Sequence, residues 1–120
     1  MSFWIDEKEA ASIRIGGYSY CFVAPGFYSI SAGHRAGLIN LPINLEANKS
    51  YYFRFSASGI PEKGLIKSSA YTSTNYTPMS GGGGVLFNTS ENLTQIEKKY
   101  AEQELIGNYK YVEPSCDNPN

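Results

Sequence analysis

Alternation of apolar and polar residues is the feature that most constrains how this chain can fold. The clearest case lies between residues 39 and 45, where every second position is apolar: Ile39, Leu41, Ile43 and Leu45. Because successive side chains of a β-strand point to opposite faces, this period of two predicts a half-buried strand. Pro42 cannot donate a backbone hydrogen bond, so we expect an edge strand or an unpaired position there.

The same period recurs in short segments separated by turn residues. In residues 51–57, Tyr51, Phe53 and Phe55 are expected to point inward, with Tyr52 and Arg54 outward. Further strands are predicted in the following stretches: SFWID (2–6), ASIRI (11–15), FYSISA (27–32), LIKSSAYTS (65–73), VLFN (85–88) and NYKYVE (108–113).

Residues 18–24, YSYCFVA, alternate with apolar residues on both faces. One face carries Tyr18, Tyr20 and Phe22, and the other carries Ser19, Cys21 and Val23. Two apolar faces predict a central strand. Pro25 and Gly26 then meet the requirements of a type II turn, so we expect a hairpin that joins residues 18–24 to 27–32.

One helix is predicted, over residues 90–106. Leu93, Ile96 and Tyr100 fall on one helical stripe, Thr89 or Ser90 can cap the start, and Gly107 suits the C-terminal end.

Four consecutive glycines mark residues 73–84 as a mobile loop. We therefore predict one domain over residues 1–113, followed by a flexible tail at 114–120. Its fold class is mainly β, a small antiparallel β-sandwich or half-barrel with one α-helix on its C-terminal side.

Composition limits the kind of function. The chain has 120 residues and a net charge of −1, without the basic face that a nucleic-acid-binding protein needs. Its apolar runs are too short to predict a membrane span. No signal peptide follows Met1, so the chain is either cytosolic or a mature region recloned with a new start, and the sequence leaves both open.

The two cysteines are too few for a disulfide scaffold and too far apart for a zinc knuckle. Cys21 lies in an apolar run, which favours a buried, inert thiol. A bond to Cys116 would require the C-terminal tail to fold back over the sheet, and this alternative stays open.

Few residues predict chemistry. His34 and Arg35 lie between glycines and form either a solvated turn or a polar pair for an anionic ligand. One histidine and two distant cysteines do not predict a metal site, and no cofactor or catalytic residue is predicted. A further group of aromatics either covers the sheets or offers rings to a sugar or protein partner: Trp4, Tyr52, Tyr71 and Tyr76.

Three motifs carry a resemblance to a known family. They are Gly17-Tyr18 or Gly17-x-x-Tyr20, Pro25-Gly26 followed by Ser31-Ala32, and LEANKSYY at residues 45–52. Their order resembles that of a family of bacterial envelope proteins, many of them lipoproteins, which is classed as a domain of unknown function and is similar to PEGA-type β-sandwich modules. Ala24 and Asn48 depart from the family pattern, as does Tyr28 where the family often has a histidine.

The resemblance implies a location in the periplasm or cell envelope. A lipid anchor upstream of a recloned start would agree with it, and no cysteine for such an anchor is present at this N-terminus. The leading hypothesis is a non-catalytic structural or protein-interaction module that binds a partner or itself. Its candidate surface comprises Pro42, Tyr52, Tyr71, Tyr76, His34 and Arg35. A carbohydrate- or small-ligand-binding module is the alternative, and an enzyme is the third possibility.

Overall fold

A computed structural model describes residues 1–14, 16–33, 39–56, 63–78, 84–107 and 109–116. Its elements are β1 (Ser2–Ile5), β2 (Lys8–Ser12), β3 (Gly17–Tyr18), β4 (Gly26–Gly33), β5 (Asn40–Leu45), β6 (Tyr52–Ser56), β7 (Leu65–Pro78), β8 (Gly84–Ile96), α1 (Lys98–Leu105) and β9 (Lys110–Tyr111). The predicted fold class is confirmed: antiparallel sheets dominate, with a single short helix and no closed barrel in the part of the chain described. No helix within these ranges is long and apolar enough to cross a bilayer.

The first sheet has the antiparallel order β2-β1-β4-β5. Its β1–β2 turn is held by Asp6, whose backbone N–H donates to the Ser29 carbonyl at 2.7 Å and whose Oδ1 accepts from the Ser29 N–H at 2.9 Å. Pro42 lies on β5, an edge of this sheet, opposite Ser29. The edge strand predicted from Pro42 is therefore confirmed.

The second sheet, of order β6-β8-β7, closes over the first. The predicted alternation of residues 39–45 is confirmed, because the four apolar side chains of this stretch are buried: Ile39, Leu41, Ile43 and Leu45. Ile30 and Ala32 from β4 and Leu93 from β8 complete this core, and Phe53 and Phe55 pack against it while half-buried. The two sheets thus share one apolar centre.

Arg54 corrects a prediction, because it is half-buried where we expected an exposed side chain. It lies on the opposite face of β6 from Phe53 and Phe55, since neighbouring side chains in a strand alternate. There its Nε lies 2.9 Å from Glu104 Oε1 of α1. The helix therefore approaches the face of the second sheet that points away from the core.

Residues 73–84 correct a second prediction. Residues 73–78 belong to β7 and Gly84 begins β8, so strands replace most of the predicted mobile loop, and residues 79–83 lie outside the described ranges. The two strands pair continuously from Lys67↔Gln95 to Pro78↔Gly84. Sequence periodicity missed them because the segment is rich in Ser, Thr, Asn and Gly and has no apolar alternation.

The helix begins later than predicted. Residues 90–96 lie in β8, and α1 spans Lys98–Leu105. Leu93 and Ile96 have the spacing of a helical stripe, but in β8 they lie on opposite faces and both are buried. A central strand that is covered on both faces has apolar residues on both, so its sequence shows no alternation of apolar and polar residues. This is why residues 90–96 were predicted as helix. The predicted C-terminal role of Gly107 is supported by its φ of +77°.

The prediction of a hairpin at Pro25-Gly26 is also wrong. Gly26 has the expected positive φ, +151°. However, β4 pairs with β1 on one edge and with β5 on the other, which leaves no edge for residues 18–24. Instead β3 pairs in parallel with β9. One element of the family resemblance, the Pro-Gly hairpin, is therefore not formed.

The tail prediction fails over the residues described beyond 113. Ser115 donates its backbone N–H to the Ala10 carbonyl at 2.7 Å, and its hydroxyl donates to Glu9 at 2.9 Å. Residues 114–116 are therefore attached to β2, and residues 117–120 lie outside the described ranges.

Candidate functional site

A disulfide between Cys21 and Cys116 organises one end of the molecule. The two Cα atoms are 6.1 Å apart, although the residues are separated by 95 positions in sequence. The prediction that Cys21 is a free, inert thiol is wrong, since the tail does fold back. The bond fixes residues 19–24, which form no ladder of their own, against β2 and the C-terminal segment.

The predicted alternation of residues 18–23 is seen in the contacts of both faces. On the inner face, the Ser19 hydroxyl donates to the Val112 carbonyl at 2.7 Å, Cys21 is bonded to Cys116, and Val23 lines a groove. The outer face carries Tyr20 and Phe22. The segment is therefore not a central strand, and one of its apolar faces points to solvent.

We call the side chains on this outer face, with their neighbour from β9, the aromatic cluster: Tyr18, Tyr20, Phe22 and Tyr111. Tyr20 contacts both Phe22 and Tyr111, with ring centroids 5.7 Å apart in each pair. Tyr20 and Tyr111 are inclined by only 36°, whereas Phe22 stands at 85° to Tyr20. Tyr18 supports Tyr111 from a centroid distance of 5.8 Å. The four rings are therefore joined in one continuous chain of contacts.

The cluster is exposed to an extent that structural packing does not explain. Tyr20 is 52% exposed, Phe22 61% and Tyr111 45%. Contiguous exposed apolar groups, unlike single ones, mark surfaces that bind something. Partial loss of water around the ring, then the Tyr20 phenol and the Glu113 carboxylate, raise the pKa of Tyr111. A side-chain hydrogen bond between Tyr20 and Tyr111 raises this pKa as well.

An open groove of about 900 Å³ lies on the other side of the disulfide, lined by Val23, Cys116 and the β1–β2 turn. Of the three carboxylates that line it, those of Asp6 and Glu9 already have structural partners. Asp6 accepts from Ser29, and Glu9 accepts from Ser2 and Ser115. Within the described ranges, no three His, Cys, Asp or Glu side chains are grouped so that they could hold a metal ion.

The predicted site residues are only partly placed. His34 and Arg35 lie outside the described residues, and Tyr71 and Tyr76 lie on β7 with side chains outside the described part. Pro42 is exposed on β5, and its carbonyl accepts from Lys67 Nζ at 3.4 Å.

Two of the predicted aromatics are half-buried. Trp4 lies in β1, and Tyr52 in β6 donates to Glu102 at 3.3 Å. Burial, with Glu102, raises the pKa of Tyr52. Pro42 and Tyr52 belong to different sheets. Because the side chains of the other four members lie outside the described part, the surface as a whole stays a prediction.

Sequence reasoning missed the aromatic cluster, although its signal was present. The two apolar faces of residues 18–24 led to the prediction that both are buried. In the structure, the face that carries the disulfide packs against the protein, and the face that carries Tyr20 and Phe22 is in solvent. The partner ring, Tyr111, lies far along the chain and comes close only through the pairing of β3 with β9. Comparison of the chain with protein-family models, with curated proteins and with solved structures gives no match.

Proposed function

We propose that this chain is a non-catalytic structural module that associates through a β-arm, with a second copy of the chain as its partner. The β-arm is the part of the β7–β8 hairpin from Tyr71 to Pro78 and from Gly84 to Glu91. The observation that carries the proposal is its pairing. β6 contacts β8 only from Asn92 to Ile96, so among the described strands the arm pairs with itself alone.

The length of the arm is reflected in the dimensions of the molecule. The molecule measures 60 × 29 × 24 Å, and its radius of gyration is 16.3 Å, against about 14 Å for a compact chain of this length. A two-stranded ribbon is marginally stable in water unless further strands or a helix support it. A pairing partner would supply that support.

The sequence of the arm lacks the usual protection of an open edge. No charged residue occurs between Lys67 and Glu91. Natural edge strands are commonly guarded by charges, especially lysine, because their free N–H and C=O groups pair with other chains. Among the described residues, no strand lies beside either outer edge of the arm, and antiparallel pairing of two copies about a twofold axis would supply one to each copy.

The proposed compartment is the periplasm or cell envelope of a bacterium. The disulfide supports it, since such bonds persist in oxidising compartments and are rare where thiols are kept reduced. The resemblance to envelope lipoproteins favours the same location.

Sedimentation velocity over a range of protein concentrations tests the association. In the test variant, residues 72–90 are replaced by Asn-Gly, a two-residue turn that joins the paired residues Tyr71 and Glu91 and keeps the three-stranded part of the sheet. We expect the wild type to form a dimer and this variant to remain monomeric with an unchanged unfolding midpoint.

A second test variant carries two substitutions, and a single substitution on the same strand is its matched control. Ser73→Lys together with Thr74→Lys places charges on β7 within the arm and should also abolish the dimer. Ser68→Lys places a charge on the same strand within the three-stranded part and should not. A wild type that stays monomeric, or a dimer that survives the loss of the arm, would overturn the proposal.

A further inference from the structure

We propose that the Cys21–Cys116 disulfide is a redox-sensitive latch. Its reduction by a dithiol releases two segments, residues 19–24 and 113–116, from strand β2 and leaves both sheets folded. We call residues 19–24 and 113–116 the latch segments. The inference is independent of the arm, because it concerns the outer edge of β2, the end strand of the first sheet.

The latch segments contact β2 at a bulge. The register of the β1–β2 ladder shifts at Ala10, which leaves this residue without an opposite partner in β1. The Ala10 carbonyl instead accepts from the backbone N–H of Ser115 at 2.7 Å, and the Ser115 hydroxyl donates to Glu9 at 2.9 Å. The sulfur of Cys21 lies 3.7 Å from the same Ala10 carbonyl oxygen. Both segments therefore cover the outer edge of β2 around Ala10.

The latch segments lie outside the apolar core that holds the two sheets together. Among the described residues, the core and the half-buried side chains packed against it come from β1, β4, β5, β6, β8 and Tyr51, and none comes from residues 19–24 or 113–116. Residues 22–25 are exposed without interruption. Because burial of apolar surface is the main stabilising contribution, release of the latch segments leaves that contribution in place.

The disulfide decides whether the hydrogen bonds of Ser115 persist. In the oxidised chain, Ser115 directly precedes a cysteine that is covalently fixed beside β2. In the reduced chain, the same bonds must offset the backbone entropy of segments that form no regular strand. Water also competes for them, since Ser115 and Glu9 are both exposed. Reduction therefore shifts the latch segments towards release.

A reductant can reach the bond. Both cysteines are half-buried, and Cys116 lines the open groove of about 900 Å³. A thiolate of the dithiol attacks Cys116 Sγ from the groove. A mixed disulfide forms, the bond to Cys21 breaks, and the Cys21 sulfur leaves with the electron pair and takes up a proton. The second thiolate of the reductant then displaces Cys116, so that the protein ends with two thiols and the reductant with a disulfide.

Amide hydrogen exchange of the full chain tests the latch. Exchange is followed by NMR in buffer without denaturant, with dithiothreitol as the dithiol. We expect the Ser115 amide to be protected in the oxidised chain and to exchange at the rate of an unstructured peptide after reduction. The amides of β4 and β5 should remain strongly protected, because local opening does not require global unfolding. Reoxidation with oxidised glutathione should restore the protection of Ser115.

Two variants serve as controls. Cys21→Ser/Cys116→Ser should show the released state with or without dithiothreitol. Ser115→Ala removes the hydroxyl that bonds to Glu9 and keeps the disulfide, so the amide of residue 115 should stay protected until the reductant is added. The variant that lacks the arm should respond to reduction as the wild type does. Failure of the latch and failure of arm-mediated association are therefore separate outcomes.

Three results would overturn the proposal. One is a Ser115 amide that stays protected after reduction, which would show that the hydrogen bonds hold the segment without the disulfide. Another is complete loss of protection in β4 and β5, which would make the bond essential to the whole fold. The third is protection that reoxidation does not restore, which would show that the opening is not reversible.

Discussion

Arg54 Nε lies 2.9 Å from Glu104 Oε1, and this ion pair joins strand β6 to helix α1. Tyr109 donates its hydroxyl to the same carboxylate oxygen, also at 2.9 Å. Both members of the ion pair have side chains that are 33% exposed, so water screens them only in part. Three segments of the chain therefore meet at one carboxylate.

The first prediction follows from this contact. Arg54→Ala should lower the free energy of unfolding by about 1–2 kcal/mol, between the values for exposed ion pairs and for charged hydrogen bonds. Lys49→Ala removes an ion pair to Glu46 that is largely exposed, and should lower the free energy of unfolding much less than Arg54→Ala does. Urea unfolding measures both. Equal costs would show that the Arg54 pair contributes no more than an exposed pair does.

The second prediction concerns alkaline pH. Burial, with Glu102 and Glu104 respectively, raises the pKa values of Tyr52 and Tyr109 above the ordinary 10.0. Each phenol keeps its proton to higher pH in the folded chain than in the unfolded chain. The stabilisation they contribute is therefore fully present below pH 10 and is lost as pH rises through the folded-state values.

Urea unfolding at pH 8 and pH 11 measures this loss. The double variant Tyr52→Phe/Tyr109→Phe should show a smaller loss of stability between these pH values than the wild type. Glu46 raises the pKa of Lys49, so this lysine titrates in the same range with the same sign. Lys49→Ala is therefore measured as well, so that the contribution of this lysine can be separated from that of the two tyrosines. A double variant as sensitive to pH as the wild type would contradict the prediction.

The third prediction concerns the disulfide. Reduction of Cys21–Cys116 should lower the free energy of unfolding by about 2–4 kcal/mol, because the bond closes a long loop and limits the unfolded chain. Unfolding with and without dithiothreitol measures the effect. A Cys21→Ser/Cys116→Ser variant should match the reduced wild type and should not respond to the reductant. A response in that variant would mean that the reductant acts elsewhere.

The fourth prediction compares two glycines with nearly equal positive φ angles, Gly64 at +78° and Gly107 at +77°. A Cβ at Gly107 would meet nothing within 4 Å, so Gly107→Ala should cost about 1–2 kcal/mol for the backbone alone. A Cβ at Gly64 would lie 2.5 Å from Tyr100 Cδ2, so Gly64→Ala should cost about 1–3 kcal/mol more. Thermal or urea unfolding of the two variants measures this difference. Equal losses of stability in Gly64→Ala and Gly107→Ala would show that the Tyr100 side chain moves aside at no cost.

Apolar periodicity predicted the parts of the fold in which one face of a strand is buried. It identified β1, β4 and β5 and the edge position of Pro42. It failed in β8, where Leu93 and Ile96 are buried on opposite faces and imitate a helical stripe. Local signals also could not show that β4 would be filled on both edges, which is decided by long-range pairing.

The candidate site was less predictable than the fold. Its aromatic residues were visible in the sequence, but exposure of Tyr20 and Phe22 depends on a bond between cysteines 95 positions apart and on the β3–β9 ladder. Neither contact has a local sequence signal. The arm was hidden for a different reason, since its strands contain too few apolar residues to show a period.

The position of the disulfide also decides how the molecule would carry a mechanical load. A pull applied between a point before Cys21 and a point beyond Cys116 runs along the N-terminal segment, through the sulfur atoms and out along the tail. Strands β4 to β8 and helix α1 lie between the two cysteines in sequence, so the covalent path of the tension bypasses them, and β4 is loaded only through its contacts with the N-terminal segment. The backbone of the arm and of the greater part of the apolar centre therefore lies within a closed covalent loop, which such a pull cannot extend while the disulfide is intact.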